Sequence, residues 1–250
     1  MKAMILAAGL GTRLRPWTLE HPKALVPVEG VPMLERVIVR LKSEGFDDII
    51  VNIHHFGDQI IDFLSSHDFG VRISISDERG GLLDTGGGIL KASEFFEGEP
   101  TLVHNVDILS DANLGGLMAE HVNAQNDVTL LTSDRDSTRR LMFDAAGNLR
   151  GWHNTVNGEY RPTGAAAESG LTEEAFSGIY IIAAGGVRAL REYARRFDAP
   201  EPAFPVMDFL LRSIGSIRIR RFHSLGLHLL DIGKAASLQL APELLKLLGR

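Results

Sequence analysis

The stretch Leu6-Ala7-Ala8-Gly9-Leu10-Gly11-Thr12-Arg13-Leu14-Arg15-Pro16, continued by Pro22-Lys23-Ala24-Leu25-Val26-Pro27-Val28, governs the reading of this chain. The apolar run at 4–8 has the length and character of a buried strand. It discharges into Gly9 and Gly11, which can take positive φ and let backbone N–H groups approach an anion closely. Arg13, Arg15 and Lys23 bring three cations to the same strand end. The stretch therefore reads as a phosphate-binding loop, with Ala8, Gly9, Gly11, Thr12, Arg13 and Lys23 as its nucleotide-binding residues. Two other glycine motifs do not fit. A dinucleotide fingerprint needs a third glycine at position 14, where Leu14 stands, and a P-loop needs Gly-Lys-Ser/Thr, which the chain lacks.

Outward from the loop, short apolar runs alternate with helix-period segments, the pattern of parallel strands joined by crossover helices. Strands are predicted at 4–8, 48–53, 71–75, 101–104 and 128–132. Met33, Leu34, Val37, Ile38 and Leu41 recur at 3.6-residue spacing and form one apolar helix face, with Gly45 as its stop. Weaker helical patterns fall at 59–64, 89–96 and 114–124. The second half departs from this rhythm. Segment 154–174 is rich in Gly, Ala, Thr and Glu and reads as an irregular excursion or lid, after which 176–182 and 216–222 resume strand patterns.

Two apolar runs end in carboxylates: Val103-His104-Asn105-Val106-Asp107 and Leu229-Leu230-Asp231-Ile232-Gly233. In an open parallel sheet ligands collect beyond the carboxyl ends of the strands, so Asp107 can face the same crevice as the glycine loop. Mg2+ usually takes one or two protein carboxylates and completes its shell with phosphate oxygens and water, a need that two lone aspartates meet.

Composition bounds the class. With 250 residues, 44% hydrophobic and 23% charged, the chain can bury a full core. A formal net charge of −6 argues against nucleic acid as the main partner. The absence of cysteine excludes disulfides, thiolate metal sites and a Cys nucleophile, leaving carboxylates, Lys, Arg and His for chemistry. The N-terminus runs straight into a strand pattern and no apolar run reaches membrane-span length, so a cytoplasmic protein without a membrane partner is expected. His54 and His55 follow the strand pattern at 48–53; adjacent residues of a regular strand face opposite ways, which favours structural roles over a shared metal.

The loop, the Pro22-Lys23 segment and the two carboxylate motifs together resemble the signature of the sugar-1-phosphate nucleotidyltransferases, which join a nucleoside triphosphate to a sugar 1-phosphate and release pyrophosphate. Within that family the chain is similar to the short, single-domain N-acetylmuramate-1-phosphate uridylyltransferase-like members. The resemblance implies a three-layer α/β, Rossmann-like nucleotide-diphospho-sugar transferase fold with a mostly parallel mixed sheet flanked by helices. It implies one domain over 1–250, with a nucleotide-binding half at 1–135 and a sugar-phosphate-binding half at 136–250. Arg13 and Lys23 are its implied catalytic residues, and Asp107 and Asp231 its Mg2+ ligands.

The glycine-rich segment at 77–88 is where the family meets the nucleobase, so Gly87 and Gly88 are candidates for base contact, with Glu78 accepting a base N–H. Asn105, Gly147, Gly178 and Asp231 fall where the family contacts the sugar phosphate. If the strand at 48–53 has already ended, His54 or His55 could reach the sugar pocket. An acidic residue and a lysine that larger members carry after that turn glycine are replaced by Gly151-Trp152-His153-Asn154, and Trp152 is a candidate apolar wall for an acyl or lactyl group. The preferred substrates are UTP and N-acetylmuramate 1-phosphate, in cell-wall sugar recycling, by a monomer or homodimer. Mannose- or heptose-1-phosphate guanylyl transfer and phosphocholine cytidylyl transfer share the signature. A catalytically inactive nucleotide-sugar sensor is the alternative of a different class, and Leu14 disfavours a nicotinamide-dependent oxidoreductase.

Overall fold

The computed structural model describes residues 1–249, leaving aside the side chains of Ala166 and Ala167. From β1 (Lys2–Leu6) the chain crosses the glycine loop and the ribbon β2 (Pro27–Val28) and β3 (Val31–Pro32), then forms α1 (Met33–Ser43) and β4 (Asp48–Ile53). It continues through α2 (Gly57–Ser65), β5 (Arg72–Asp77), α3 (Asp84–Lys91), β6 (Thr101–Asn105), β7 (Ile108–Ser110), α4 (Leu114–Ala124) and β8 (Val128–Ser133). The second half holds β9 (Arg139–Phe143), β10 (Leu149–Asn154), β11 (Glu159–Arg161) and the long β12 (Thr172–Ile182). After it come α5 (Ala184–Ala194), α6 (Val206–Arg212), β13 (Ile219–His223), β14 (Leu229–Asp231), α7 (Ala235–Leu238) and α8 (Ala241–Leu247).

The main sheet runs in the order β11-β10-β9-β12-β6-β1-β4-β5, with β8 pairing β12 and β13 pairing β8. Strands β6, β1, β4 and β5 are parallel, whereas β12 is antiparallel to β6, β8 and β9. Alternate residues of β1 feed opposite layers. Ala3 and Ile5 join the core under α1, α2 and α4, and Met4 and Leu6 join the core under α3, α5 and α6. The expected helix face is realised in α1, where Met33, Leu34, Val37, Ile38 and Leu41 are buried and Gly45 takes a φ of 85° just past the end. Each such side chain contributes about 1.5–3 kcal/mol by leaving water. A third, smaller core of Val28, Met33, Leu109, Ile232, Ala241 and Leu245 clamps the two short ribbons against α8. No helix among the described residues is long and apolar enough to cross a membrane.

Two expectations are corrected. Segment 154–174 is ordered into the β10–β11 hairpin, a 3-10 turn at Thr163–Ala167 and the start of β12. Its polar composition reflects an edge strand and its turns rather than irregular chain. Helix α3 begins at Asp84, not near Ile89, so the triple glycine lies inside the helix. Glycine disfavours a helix interior by about 1 kcal/mol per residue, and here tertiary packing overrides that cost.

His104 and His121 are buried, each accompanied by a single polar contact, to the Asn105 carbonyl and to Thr129 Oγ1. Burial disfavours the imidazolium and lowers both from 6.5 to about 4. Unfolded chains protonate near pH 6.5 while the folded protein resists until about 4, so stability that is complete above pH 6.5 is lost as the pH falls through this window. Each histidine accounts for about 1.4 kcal/mol per pH unit there. Urea midpoints measured between pH 7 and 4.5 are expected to fall less steeply in His121→Gln than in the parent, and parallel curves would refute the assignment.

Candidate active site

The glycine loop leaves β1 at a tether. The Ala7 amide donates to Asn52 Oδ1 at 2.7 Å, and Asn52 Nδ2 donates to Glu78 Oε1 at 2.7 Å. Glu78 Oε2 takes the Leu83 amide at 3.3 Å. Asn52 and Glu78 are both buried, and burial pushes the Glu78 carboxyl above its usual range against the two hydrogen bonds that favour the carboxylate. Beyond the tether, Gly11 takes a φ of 61°, and a Cβ there would lie 2.9 Å from both Lys23 Cβ and Thr18 Cγ2. Glycine at this position is what lets the loop close over the Lys23 stem. Gly9 does not adopt positive φ, and a Cβ on it would meet open space.

The carboxylates come together through the β7–β14 ribbon. Asp231 pairs with Ile108 across it, and the Ile232 amide donates to the Asp107 carbonyl at 2.8 Å. Lys23 Nζ donates to Asp107 Oδ2. Gly233 sits among the charged groups: a Cβ there would lie 2.6 Å from Arg13 Nη2, 2.6 Å from Asp231 Oδ1 and 3.3 Å from Asp107 Oδ2. The Gly233 amide donates to Asp231 Oδ1 at 2.6 Å. Burial first, and the neighbouring Asp107 carboxylate second, raise the Asp231 carboxyl above the ordinary range. Four groups read separately in the sequence, Arg13, Lys23, Asp107 and Asp231, thus occupy one place.

Two cavities open onto it. One, of about 430 Å³, is lined by Ala8, Gly9, Arg13, Lys23, Asn52, Leu82, Asp84, Thr85, Asn105, Asp107 and Asp231 among others. The other, of about 580 Å³, lies over β9, β10 and β11 and includes Arg135, Trp152, Ser177 and Gly178. Asn105 and Asp231 belong to both. The second cavity exists because β12 changes neighbour: residues 172–175 pair with β9 and residues 179–182 with β6. Gly178, at a φ of 76°, lies in the gap, and a Cβ there would come within 2.8 Å of Asn105 Nδ2. A larger groove, of about 880 Å³, runs between residues 227–230 and α8, but its wall is mostly leucine and it holds none of these charged groups.

Some expected contacts are placed elsewhere. Glu78 lines neither cavity, since both its oxygens are committed to Asn52 and Leu83 beneath the segment expected to meet the base. Gly87 and Gly88 are buried in α3. A Cβ on Gly87 would lie 2.3 Å from the Pro202 carbonyl, and one on Gly88 would lie 2.7 Å from Glu78 Oε1. Their small size serves helix packing, and Leu82, Asp84 and Thr85 face the cavity instead. Gly147 is a turn residue whose carbonyl takes the Arg221 amide at 2.9 Å, and it too lines neither cavity. Thr12 opens a 3-10 turn after Gly11 and is likewise outside both linings.

Sequence reading missed Asn52 and Arg135. A lone amide inside an otherwise apolar strand was the signal for Asn52. Arg135, in Ser133-Asp134-Arg135-Asp136, is indistinguishable in sequence from a solvated charge run, yet its Nη2 donates to the Phe176 carbonyl at 2.7 Å and its Nε is buried without a partner. His54 and His55 bond the Glu78 and Thr18 carbonyls, as structural residues do.

Residues 2–141 match the sequence profile of the family described as Nucleotidyl transferase. The chain belongs to that family. N-acetylmuramate alpha-1-phosphate uridylyltransferase of Neisseria meningitidis serogroup B is 42% identical over 131 residues, 50% of this chain and 57% of the relative. The protein of the same name from Caulobacter vibrioides is 36% identical over 157 residues, 61% of this chain and 62% of the relative. The chain therefore spans about six tenths of the length of these curated relatives. The fold of this chain is also that of HddC from Yersinia pseudotuberculosis, with a TM-score of 0.76 at 23% identity, covering 97% of this chain and 98% of that one.

Packing and base contact make different demands on Gly88. Gly88→Ala forces a methyl against Glu78 and Asn52, and overpacking of this kind costs about 1–3 kcal/mol. Its thermal midpoint is expected to fall accordingly, whereas an unchanged midpoint with a raised KM for the triphosphate would restore direct base contact.

Proposed function

We propose that this nucleotidyl transferase joins a nucleoside triphosphate, UTP by preference, to a sugar 1-phosphate, N-acetylmuramate 1-phosphate by preference, and releases pyrophosphate. One observation carries the reading. The cavity behind the glycine loop and the cavity over the antiparallel strands meet at Asn105 and Asp231, so ligands in the two would bring their phosphates together there. The named activity of the two curated relatives supports the choice of base and sugar.

The reaction is an in-line displacement. A sugar phosphate oxygen forms a bond to the α-phosphorus, the bond from that phosphorus to its β-bridging oxygen breaks, and the electron pair leaves with pyrophosphate. The attacking phosphate is ionised at neutral pH, so no general base is required. What must be overcome is repulsion between two anions, and aimed positive charge does this. Arg13 and the loop amides hold the β,γ-phosphates, while Lys23 faces the α-phosphate and the incoming oxygen. Arg135, which burial lowers from the usual guanidinium range against the opposing effect of the nearby Asp231 carboxylate, is suited to the sugar's phosphate.

The donor set fits Mg2+. Among the described residues no group of three or more His, Cys, Asp or Glu side chains is arranged to hold a metal alone. Asp107 and Asp231 are two hard oxygen donors side by side, and a divalent cation there would favour the ionised Asp231 carboxyl that burial first, and Asp107 second, disfavour. Bound there, Mg2+ would neutralise phosphate charge during transfer. Lys23, paired with Asp107 in this structure, is the ammonium beside those donors that would face a phosphate. Because the substrates are polyanions that do not cross membranes unaided, we place the reaction in the cytoplasm, where it would recover a cell-wall sugar.

Lys23→Ala and Asp231→Ala are each expected to lower the rate of pyrophosphate release from UTP and N-acetylmuramate 1-phosphate by about 10²-fold or more, since an aimed electrostatic contact is worth about 3 kcal/mol. Near-parental turnover in either variant would remove that residue from the mechanism. Binding of both substrates without turnover by the parent protein would favour a sensor.

A further inference from the structure

The cavity over the antiparallel strands contains a feature that phosphate transfer does not use. Its floor is one face of β9, β10 and β11. Cross-strand register sets Arg139, Asn154 and Glu159 in one row and Leu141, Trp152 and Arg161 in the next, and all six line the cavity. Side chains two apart along a strand share a face, so the two rows form one continuous surface.

The rows differ in charge balance. Arg161 lies over the Trp152 ring at 5.1 Å, and its guanidinium is matched by Glu159 at 2.6 Å and by Asp208 at 3.8 Å. Among the described residues those two carboxylates are the only ones lining the cavity apart from Asp231, which belongs to the reacting end. Arg135 is tied to the Phe176 carbonyl and lies near enough to Asp231 for their charges to interact. Asp136 is paired with the neighbouring Arg140 at 3.8 Å, which leaves Arg139, the exposed first residue of β9, without an ion-pair partner among the described residues and with the amide Asn154 opposite it. Beside this cation lies a shelf formed by Leu141, which is buried, and Trp152, which is half-buried.

A cation, an amide and an apolar shelf on one face describe a receptor for a carboxylate carried on a short apolar arm. We propose that Arg139, assisted by Asn154, reads a second acidic group on the sugar 1-phosphate, and that Trp152 and Leu141 take the carbon atoms bearing it. Arg139 is thus a specificity-determining residue that selects acidic sugars over neutral hexoses. The inference rests on the nucleotidyl-transfer reading, which assigns the 1-phosphate to the end at Asn105 and Asp231.

The test uses two sugar phosphates that differ in a single acidic arm. N-acetylmuramate 1-phosphate carries a lactyl ether where N-acetylglucosamine 1-phosphate carries a hydroxyl. Pyrophosphate release with UTP gives kcat/KM for each substrate in the parent protein, Arg139→Gln and Arg139→Lys, with thermal midpoints confirming that all three are folded. The parent is expected to prefer the acidic sugar, and Arg139→Gln to reduce that preference by about 10- to 100-fold, mainly through KM, as loss of a charge-assisted pair requires. Arg139→Lys is expected to fall between, because it keeps the charge but loses the planar fork. An unchanged ratio, or an equal fall on both substrates, overturns the inference, as does a parent that prefers the neutral sugar while still releasing pyrophosphate. Absence of pyrophosphate release from either substrate, and from a wider panel of triphosphates and sugar phosphates, overturns the nucleotidyl-transfer reading itself.

Discussion

Two carboxylates held against each other, Asp107 and Asp231, are the constraint around which this molecule is organised. Burial is the first cause that raises the Asp231 carboxyl, and repulsion from the Asp107 carboxylate adds to it. The β7–β14 ribbon forces the contact, and the small core at Val28, Ile232 and Leu245 keeps α8 clamped over the ribbon. Opposing charge is then delivered from far away in the chain. Lys23 reaches Asp107, and Arg13 comes within range of Gly233, because glycine at positions 11 and 233 leaves the space that any side chain would fill. A site with this balance suits an ion and phosphates that rearrange the same charges during transfer.

The tether at Ala7 plays the supporting part. A phosphate loop needs its first amide held still, and here it is held by Asn52, itself held by Glu78. Because Glu78 is buried, losing one member leaves another polar group unpaired inside the protein, which costs about 1–3 kcal/mol. Glu78 is thus joined to the cavity behind the glycine loop through Asn52, which lines it, and does not line that cavity itself. The triple glycine of α3 fits the same scheme, since Gly88 lies flush against the Glu78–Asn52 pair and Gly87 against the Pro202 carbonyl.

The second cavity depends on a change of partner within one strand. β12 pairs with β9 at its start and with β6 at its end, and the left-handed Gly178 lies between. The antiparallel hairpins beyond β9 then supply a floor whose residues alternate by face. That alternation is why Arg139, Leu141, Trp152, Asn154, Glu159 and Arg161, spread over three strands, form one surface.

Much was legible before any coordinates. The alternation of apolar runs with one 3.6-period helix face determined the parallel core, and 48–53 and 114–124 coincide with β4 and α4 at both ends. Asp107 and Asp231 could be picked out because carboxylates that end apolar runs stand out locally, whereas Arg13 and Lys23 were distinguished among the loop's cations by the family resemblance. Other features were decided only by tertiary contact. Glu78, Gly87 and Gly88 look like a ligand loop in sequence, yet they are buried, with Glu78 bonded to Asn52 and Gly87 packed on the Pro202 segment. Arg135 and Arg139 look like solvated cations until strand order and register place them in a cavity. The physical reason is the same throughout. Periodicity and propensity are local and survive in one dimension, whereas burial, charge balance and strand partnership belong to groups brought together from distant parts of the chain.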